Sequence, residues 1–185
     1  LLLWEALLGG RVLLPADYLK GMAPWSALVT EEALRAIPQW NVLQWDGMAE
    51  FYPWRLHAAR SMASGQIPLW NPCILAGTPF LANSQSAPLY PLHAIYYLPL
   101  GASVAVRMAW VAFLHLSLAG WFAYLLARDL RVSLAPAVVA GLAYELSGFA
   151  VAWLELPSFI SVSCWIPLVL LCLGRAVRLS SARWT

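Results

Sequence analysis

Three apolar stretches in the second half of the chain limit what it can fold into. They are Val104–Leu126 (VAVRMAWVAFLHLSLAGWFAYLL), Ala135–Leu154 (APAVVAGLAYELSGFAVAWL) and Ser158–Leu173 (SFISVSCWIPLVLLCL), the last extended to start near Leu156. Each approaches the ~20 residues that cross a bilayer as a helix, and the expected spans are 104–127, 135–154 and 156–174. Hydrocarbon offers the backbone no water partner, so the fold class is all-α. Composition agrees: 62% of residues are apolar and 11% charged, against about 25% charged in soluble domains. Ser133 and Pro136 suit the start of the middle helix, as cap and first-turn residue. Its Ala and Gly residues suit close helix packing.

The basic residues set an expected orientation. Arg128 and Arg131 follow the first span, and Arg175, Arg178 and Arg183 follow the last. The positive-inside rule assigns both ends to the cytoplasm. Residues 9–103 then form a large extracytoplasmic loop, and Glu155 with Pro157 a short outer turn. The loop is charge-balanced: Arg11, Lys20, Arg35, Arg55 and Arg60 stand against Asp17, Glu31, Glu32, Asp46 and Glu50. Leu1–Leu8 reads as the tail of an earlier membrane helix, without the basic start and small-residue cleavage site of a signal peptide. The chain opens without Met and is expected to be a piece of a longer multi-pass protein, with 175–185 as its cytoplasmic end. A net charge of +2 with no Lys/Arg run argues against nucleic acid as a partner. Cys73, Cys164 and Cys172 lack metal-ligand spacing and are expected to form no structural disulfide.

Asp46–Leu92 is the polar exception. It is crowded with Trp, Tyr, Pro, Gly, Asn and Gln, and a loop this costly in backbone order usually carries function. Short helices are expected at Glu31–Ile37 and Gly47–Ser64, the second with its apolar stripe broken at Pro53. Pro68–Pro91 reads as irregular turns, and Leu89–Leu98 as a short helix at interfacial depth, marked by Tyr90, Tyr96 and Tyr97.

Ordered motifs run through this region and beyond it: FYPWR at Phe51–Arg55, GQIPLWNP at Gly65–Pro72 and GTPFLANSQSAPLYPL at Gly77–Leu92. His115, LSGF at Leu146–Phe149 and WIPLVLL at Trp165–Leu171 follow in the same order. Together they resemble the bacterial YfhO membrane protein family, over about Arg11 to Arg178. The resemblance implies a GT-C-like glycosyltransferase, multi-pass in the bacterial cytoplasmic membrane. Such an enzyme takes a sugar from a polyprenyl-phosphate carrier and passes it to an envelope glycan or similar acceptor at the outer face. It also implies that an acid of the first outer loop, here Asp46, is the catalytic base or a metal ligand. Activity is then expected of the longer protein rather than of these residues alone. The chain departs from the family pattern at Glu50, Leu156 and Ser158, where family members often carry Gln, His and Asn.

The residues themselves allow matching chemistry. Transfer from a lipid phosphate needs a base for the acceptor hydroxyl, positive charge for the departing phosphate and apolar surface for the lipid. Asp46 and Glu50, spaced i, i+4, share one helix face. They either divide into base and orienter or hold a divalent cation (Mg or Mn); alternatively Glu50 pairs with Arg55 or caps a helix. Arg55 offers a guanidinium fork to phosphate, or an ion pair to Asp46 or Glu50. Arg60 is expected on a solvated face. His57 is either a proton relay or a hydrogen-bonded loop side chain. Tyr52, Trp54, Trp70 and Tyr90 either stack on sugar rings or anchor at the interface. Asn71, Asn83 and Gln85 either bind hydroxyls or satisfy local turns. Within the membrane, His115 and Glu145 are functional candidates by cost alone, expected to pair with each other or, for Glu145, with Arg107. The competing readings are a non-catalytic carrier-binding protein or flippase, and a structural subunit of envelope-polymer assembly.

Overall fold

The computed structural model of the chain describes residues 3–37, 41–99, 101–154 and 156–181. Glu155 and Arg183, used above for orientation, lie outside the described residues, as does the start of the expected helix at 1–8. The protein is mostly helical, with 64% helix and 2% strand. It divides into two compact units, Leu1–Val111 and Ala112–Thr185.

The first unit begins with the short helix α1 (Trp4–Leu7), followed by 3-10 segments at Ala16–Gly21 and Trp25–Leu28. Helix α2 spans Glu31–Arg35; Thr30 caps it by accepting from Ala33 N–H, and Glu31 and Glu32 fill its acidic first turn, where they complement the helix dipole. Helices α3 (Val42–Asp46) and α4 (Tyr52–Ala63) are joined by a π-helical turn at Gly47–Phe51, in which Tyr52 N–H donates to Gly47 O. Pro53 is the physical reason. It lacks an N–H, and its ring clashes with the carbonyl four residues back. Widening the preceding turn relieves that clash, so the expected break at Pro53 becomes a bulge and the helix continues.

After α4 the chain forms one short antiparallel ladder of β1 (Trp70–Asn71) and β2 (Thr78–Pro79), with Trp70 opposite Pro79 and Asn71 opposite Thr78. The periodic signal here was too short to read as strand. The expected interfacial helix is a 3-10 segment at Pro91–Tyr96. Arg107 Nη1 donates to Tyr96 O at 2.6 Å, which ties the loop to the next helix within this unit.

That helix, α5 (Val104–Asp129), leads into the second unit. With α6 (Leu134–Glu145), α7 (Gly148–Ala152), α8 (Pro157–Ser163) and α9 (Ile166–Ser181) it supplies three segments long and apolar enough to cross a membrane: Val104–Asp129, Leu134–Ala152 and Pro157–Leu179. Two of them are interrupted. Ser147 caps α7, its hydroxyl accepting from Ala150 N–H, so the middle span pauses just after Glu145. Pro167 enforces the second break, between α8 and α9. Glycines bring α5 and α6 together: a Cβ on Gly141 would lie 2.8 Å from Gly120 O. Large apolar side chains face outward along these helices, among them Val139, Leu142, Phe149, Val162, Leu170 and Leu173. Lipid satisfies such a surface and water does not.

Candidate functional site

Asp46 and Glu50 sit at the two ends of the π-helical turn. The wider turn bonds residue i+5, rather than i+4, back to residue i, and Phe51 at its end is buried. Glu50 is exposed and Asp46 half-buried. Among the described residues neither carboxylate takes part in a hydrogen bond or ion pair. Glu50 makes neither of the contacts considered for it, a pair with Arg55 or a helix cap. Helical π-turns are uncommon and often mark functional sites.

Tyr18 positions this turn from outside. It is buried, its hydroxyl donates to Gln44 Oε1 at 2.9 Å, and it accepts from Asn41 N–H at 3.2 Å. The start of α3 is thereby fixed to the 3-10 segment Ala16–Gly21. The sequence carried no signal for this, because one tyrosine among seven has no distinguishing spacing.

Arg55 is turned inward. It is 2% exposed; its Nη1 donates to Ser86 O, and its Nη2 to Gln85 O at 3.4 Å. The guanidinium lies over the Tyr96 ring, 5.6 Å from its centre. Burial lowers the Arg55 pKa against the opposing influence of Tyr96 and Tyr97, and burial pushes the Tyr96 hydroxyl up to about 12. In this geometry the fork grips the loop's own carbonyls, and neither an open phosphate face nor an ion pair to Asp46 or Glu50 is formed. Ser86, fully buried, completes the grip: its Oγ lies 3.0 Å from Phe80 O and 2.8 Å from Asn83 O. Arg60, on the same helix, is exposed.

The other candidates divide by exposure. Trp54 is buried edge-on against Phe51 at 5.4 Å and is closed to a sugar ring. Asn71 is buried and its Oδ1 accepts from Cys73 N–H at 3.0 Å; Asn83 Oδ1 accepts from Gln85 N–H at 3.0 Å. Both side-chain oxygens serve turns. His57 Nε2 lies 3.0 Å from Trp70 O; a carbonyl only accepts, so this nitrogen carries the proton. Its ring meets Phe80 edge-on at 4.8 Å. Trp70 is half-exposed, Gln85 is exposed, and Tyr52 and Tyr90 are half-buried. The Trp70 indole lies against Gly77, where a Cβ would fall 2.5 Å from the ring. Of the candidates, Glu50, Arg60, Trp70 and Gln85 are thus open to solvent, with Asp46, Tyr52 and Tyr90 partly accessible.

As a metal site the donor set is thin. Among the described residues no group of three or more His, Cys, Asp or Glu side chains converges. Asp46 and Glu50 alone would leave most of an octahedral shell to water and substrate.

No protein-family model, curated protein or solved structure matches the chain.

Proposed function

We propose that this chain belongs to a multi-pass membrane glycosyltransferase of the GT-C kind, embedded in a bacterial cytoplasmic membrane with the 9–103 loop on the outer side. Its substrate is a polyprenyl-phosphate-linked sugar, and its acceptor an envelope glycan or similar hydroxyl compound. The observation that carries the reading is the π-helical turn at Asp46 and Glu50, neither of which has a partner among the described residues, in a chain that also holds three segments long and apolar enough to cross a membrane. Asp46, half-buried and fixed through Tyr18, takes the acceptor hydroxyl proton; Glu50 orients the acceptor. Such general-base assistance contributes about 10²–10⁴-fold. Trp70, Tyr52, Gln85 and Tyr90 offer the sugar stacking and hydrogen-bonding surface. Arg60 is the accessible cation for the departing phosphate, while Arg55 holds the loop that carries the site.

One observation favours a second reading. Ile67, Leu69, Trp70, Leu75 and Leu89 are large apolar side chains exposed on the same loop, which suits a protein that binds or moves a lipid carrier without chemistry. The two separate in one assay. The parent protein, reconstituted with radiolabelled polyprenyl-phosphate sugar and membrane glycan acceptors, is compared with Asp46→Asn. Loss of transfer with carrier binding retained supports the enzyme. Carrier binding without transfer in either protein supports the carrier-binding reading, and equal transfer in both removes Asp46 from the mechanism.

A further inference from the structure

Glu145 ends α6 inside the apolar segment Leu134–Ala152. Its carboxylate lies directly against Gly120 of α5, where a Cβ would overlap Oε2 and come within 2.9 Å of Cδ. Among the described residues it has no hydrogen-bond or ion-pair partner, so it does not pair with His115 as expected. From Gly120 to Asp129, the end of α5, is about 13 Å of helix rise, close to the middle of a hydrocarbon core about 30 Å thick. The carboxylate also stands at a helix C-terminus, where the dipole is already negative. A carboxyl group at that depth is held in its charged form only by a cation, and broken membrane helices hold cations at such ends.

The surroundings define which cation. A groove of ≈ 300 Å³ opens beside Glu145, lined by Ser117, Trp121, Tyr124, Val138 and Leu142 with the two glycines. That volume lies at the lower end of small-molecule sites. Trp121 and Tyr124 form an adjacent ring pair, with centroids 5.7 Å apart, and aromatic faces attract organic cations. Val138 and Leu142 provide apolar wall for a tail. Among the described residues a metal ion would find one carboxylate and no group of three His, Cys, Asp or Glu donors.

The geometry points to a binding site for an organic ammonium with an apolar tail, its charge on Glu145 and its chain along the α5–α6 groove. The inference is independent of the transferase reading, because it uses no residue of the outer loop. The probe is n-dodecylamine, with n-dodecanol as the uncharged match. Native mass spectrometry of the protein from neutral detergent should show a saturable one-to-one amine adduct, absent with dodecanol and weakened at least tenfold in Glu145→Gln. In the wild-type protein, dodecylamine should also slow modification of Glu145 by dicyclohexylcarbodiimide, read by peptide mass; this test stands even where Glu145→Gln fails to fold. Equal retention of amine and alcohol, unchanged binding in the variant or absence of protection would each overturn the proposal. A groove filled by a basic side chain from another helix would give that last result.

Discussion

The Tyr144 hydroxyl donates to Ser163 O at 2.9 Å, the carbonyl to which Pro167, four residues on, offers no N–H. Proline in a membrane helix is tolerated when a neighbouring group restores the missing bond, and here α6 supplies it to the break between α8 and α9. Tyr144→Phe should therefore destabilise the protein. Hydrogen bonds between membrane helices contribute on average about 0.6 kcal/mol and at most about 1.7, so the loss should fall near 1. In a Pro167→Ala background the helix supplies its own donor, and the same Tyr144→Phe change should cost less than half as much. Unfolding titrations of the four proteins in mixed micelles give the coupling directly, and additive costs would show the bond to be incidental.

The second expected outcome concerns alkaline stability. Burial holds the Tyr96 hydroxyl up at about 12, from an ordinary value of 10.0. A group with a raised folded pKa keeps its contribution below the unfolded value and loses it as pH rises through the folded value. Stability should thus be level below pH ~10 and fall across roughly pH 10–12, by at most about 2–3 kcal/mol. Tyr97, raised by burial in the same sense, adds to the slope. Arg55, lowered by burial, acts in the opposite sense but stays charged through this range. Thermal midpoints taken against pH should fall less steeply for Tyr96→Phe than for the wild type.

The three segments long and apolar enough to cross a membrane were legible because hydrophobic length is a signal carried by some twenty residues at once. Their interruptions were not: Ser147 as a mid-span cap and Pro167 as a break depend on single residues within long apolar runs. In the loop, spacing predicts a regular helix that puts both acids on one face, whereas the π-turn between them arises from a local contest between Pro53 and the carbonyl behind it. The inward turn of Arg55 was harder still. Arginine in a polar, aromatic loop suits phosphate and carbonyl equally, and only the chain path that brings Gln85 and Ser86 back across α4 decides between them. Glu145 was conspicuous by its cost in a membrane, yet pairing was the natural expectation, because sequence shows cations without showing their reach.

Gly77 provides a test of the loop's closure. Its φ of +121° lies where side chains are rarely accommodated, and the Trp70 indole occupies the space a Cβ would need. Gly77→Ala should cost about 1–3 kcal/mol in backbone strain, with displacement of the indole in addition. Trp70→Ala in the same protein should recover only the second part. Limited proteolysis between Gly65 and Leu89, followed by mass, should show faster cleavage for Gly77→Ala, partly restored in the double variant. Cleavage at the wild-type rate would mean that the β1–β2 turn tolerates a side chain there.

Arg55 separates a structural cation from a substrate-binding one. Its removal leaves Gln85 O and Ser86 O without their buried donor, at about 1–3 kcal/mol each, offset in part because a buried charge no longer has to be desolvated. Arg55→Met should lower stability by about 2–4 kcal/mol on that balance. Arg55→Lys should not rescue it, because a single ammonium cannot span two carbonyls as the fork does. In the fraction that stays folded, the affinity for a polyprenyl-phosphate carrier should remain within about twofold of wild type, whereas loss of the exposed Arg60 should weaken it by an order of magnitude, as expected for a charge-assisted contact to phosphate. Thermal midpoints and carrier binding, measured on the same preparations of both variants, test the assignment. Normal stability of Arg55→Met together with a large loss of carrier affinity would move the phosphate contact back to Arg55, and would require the loop to open and release that side chain.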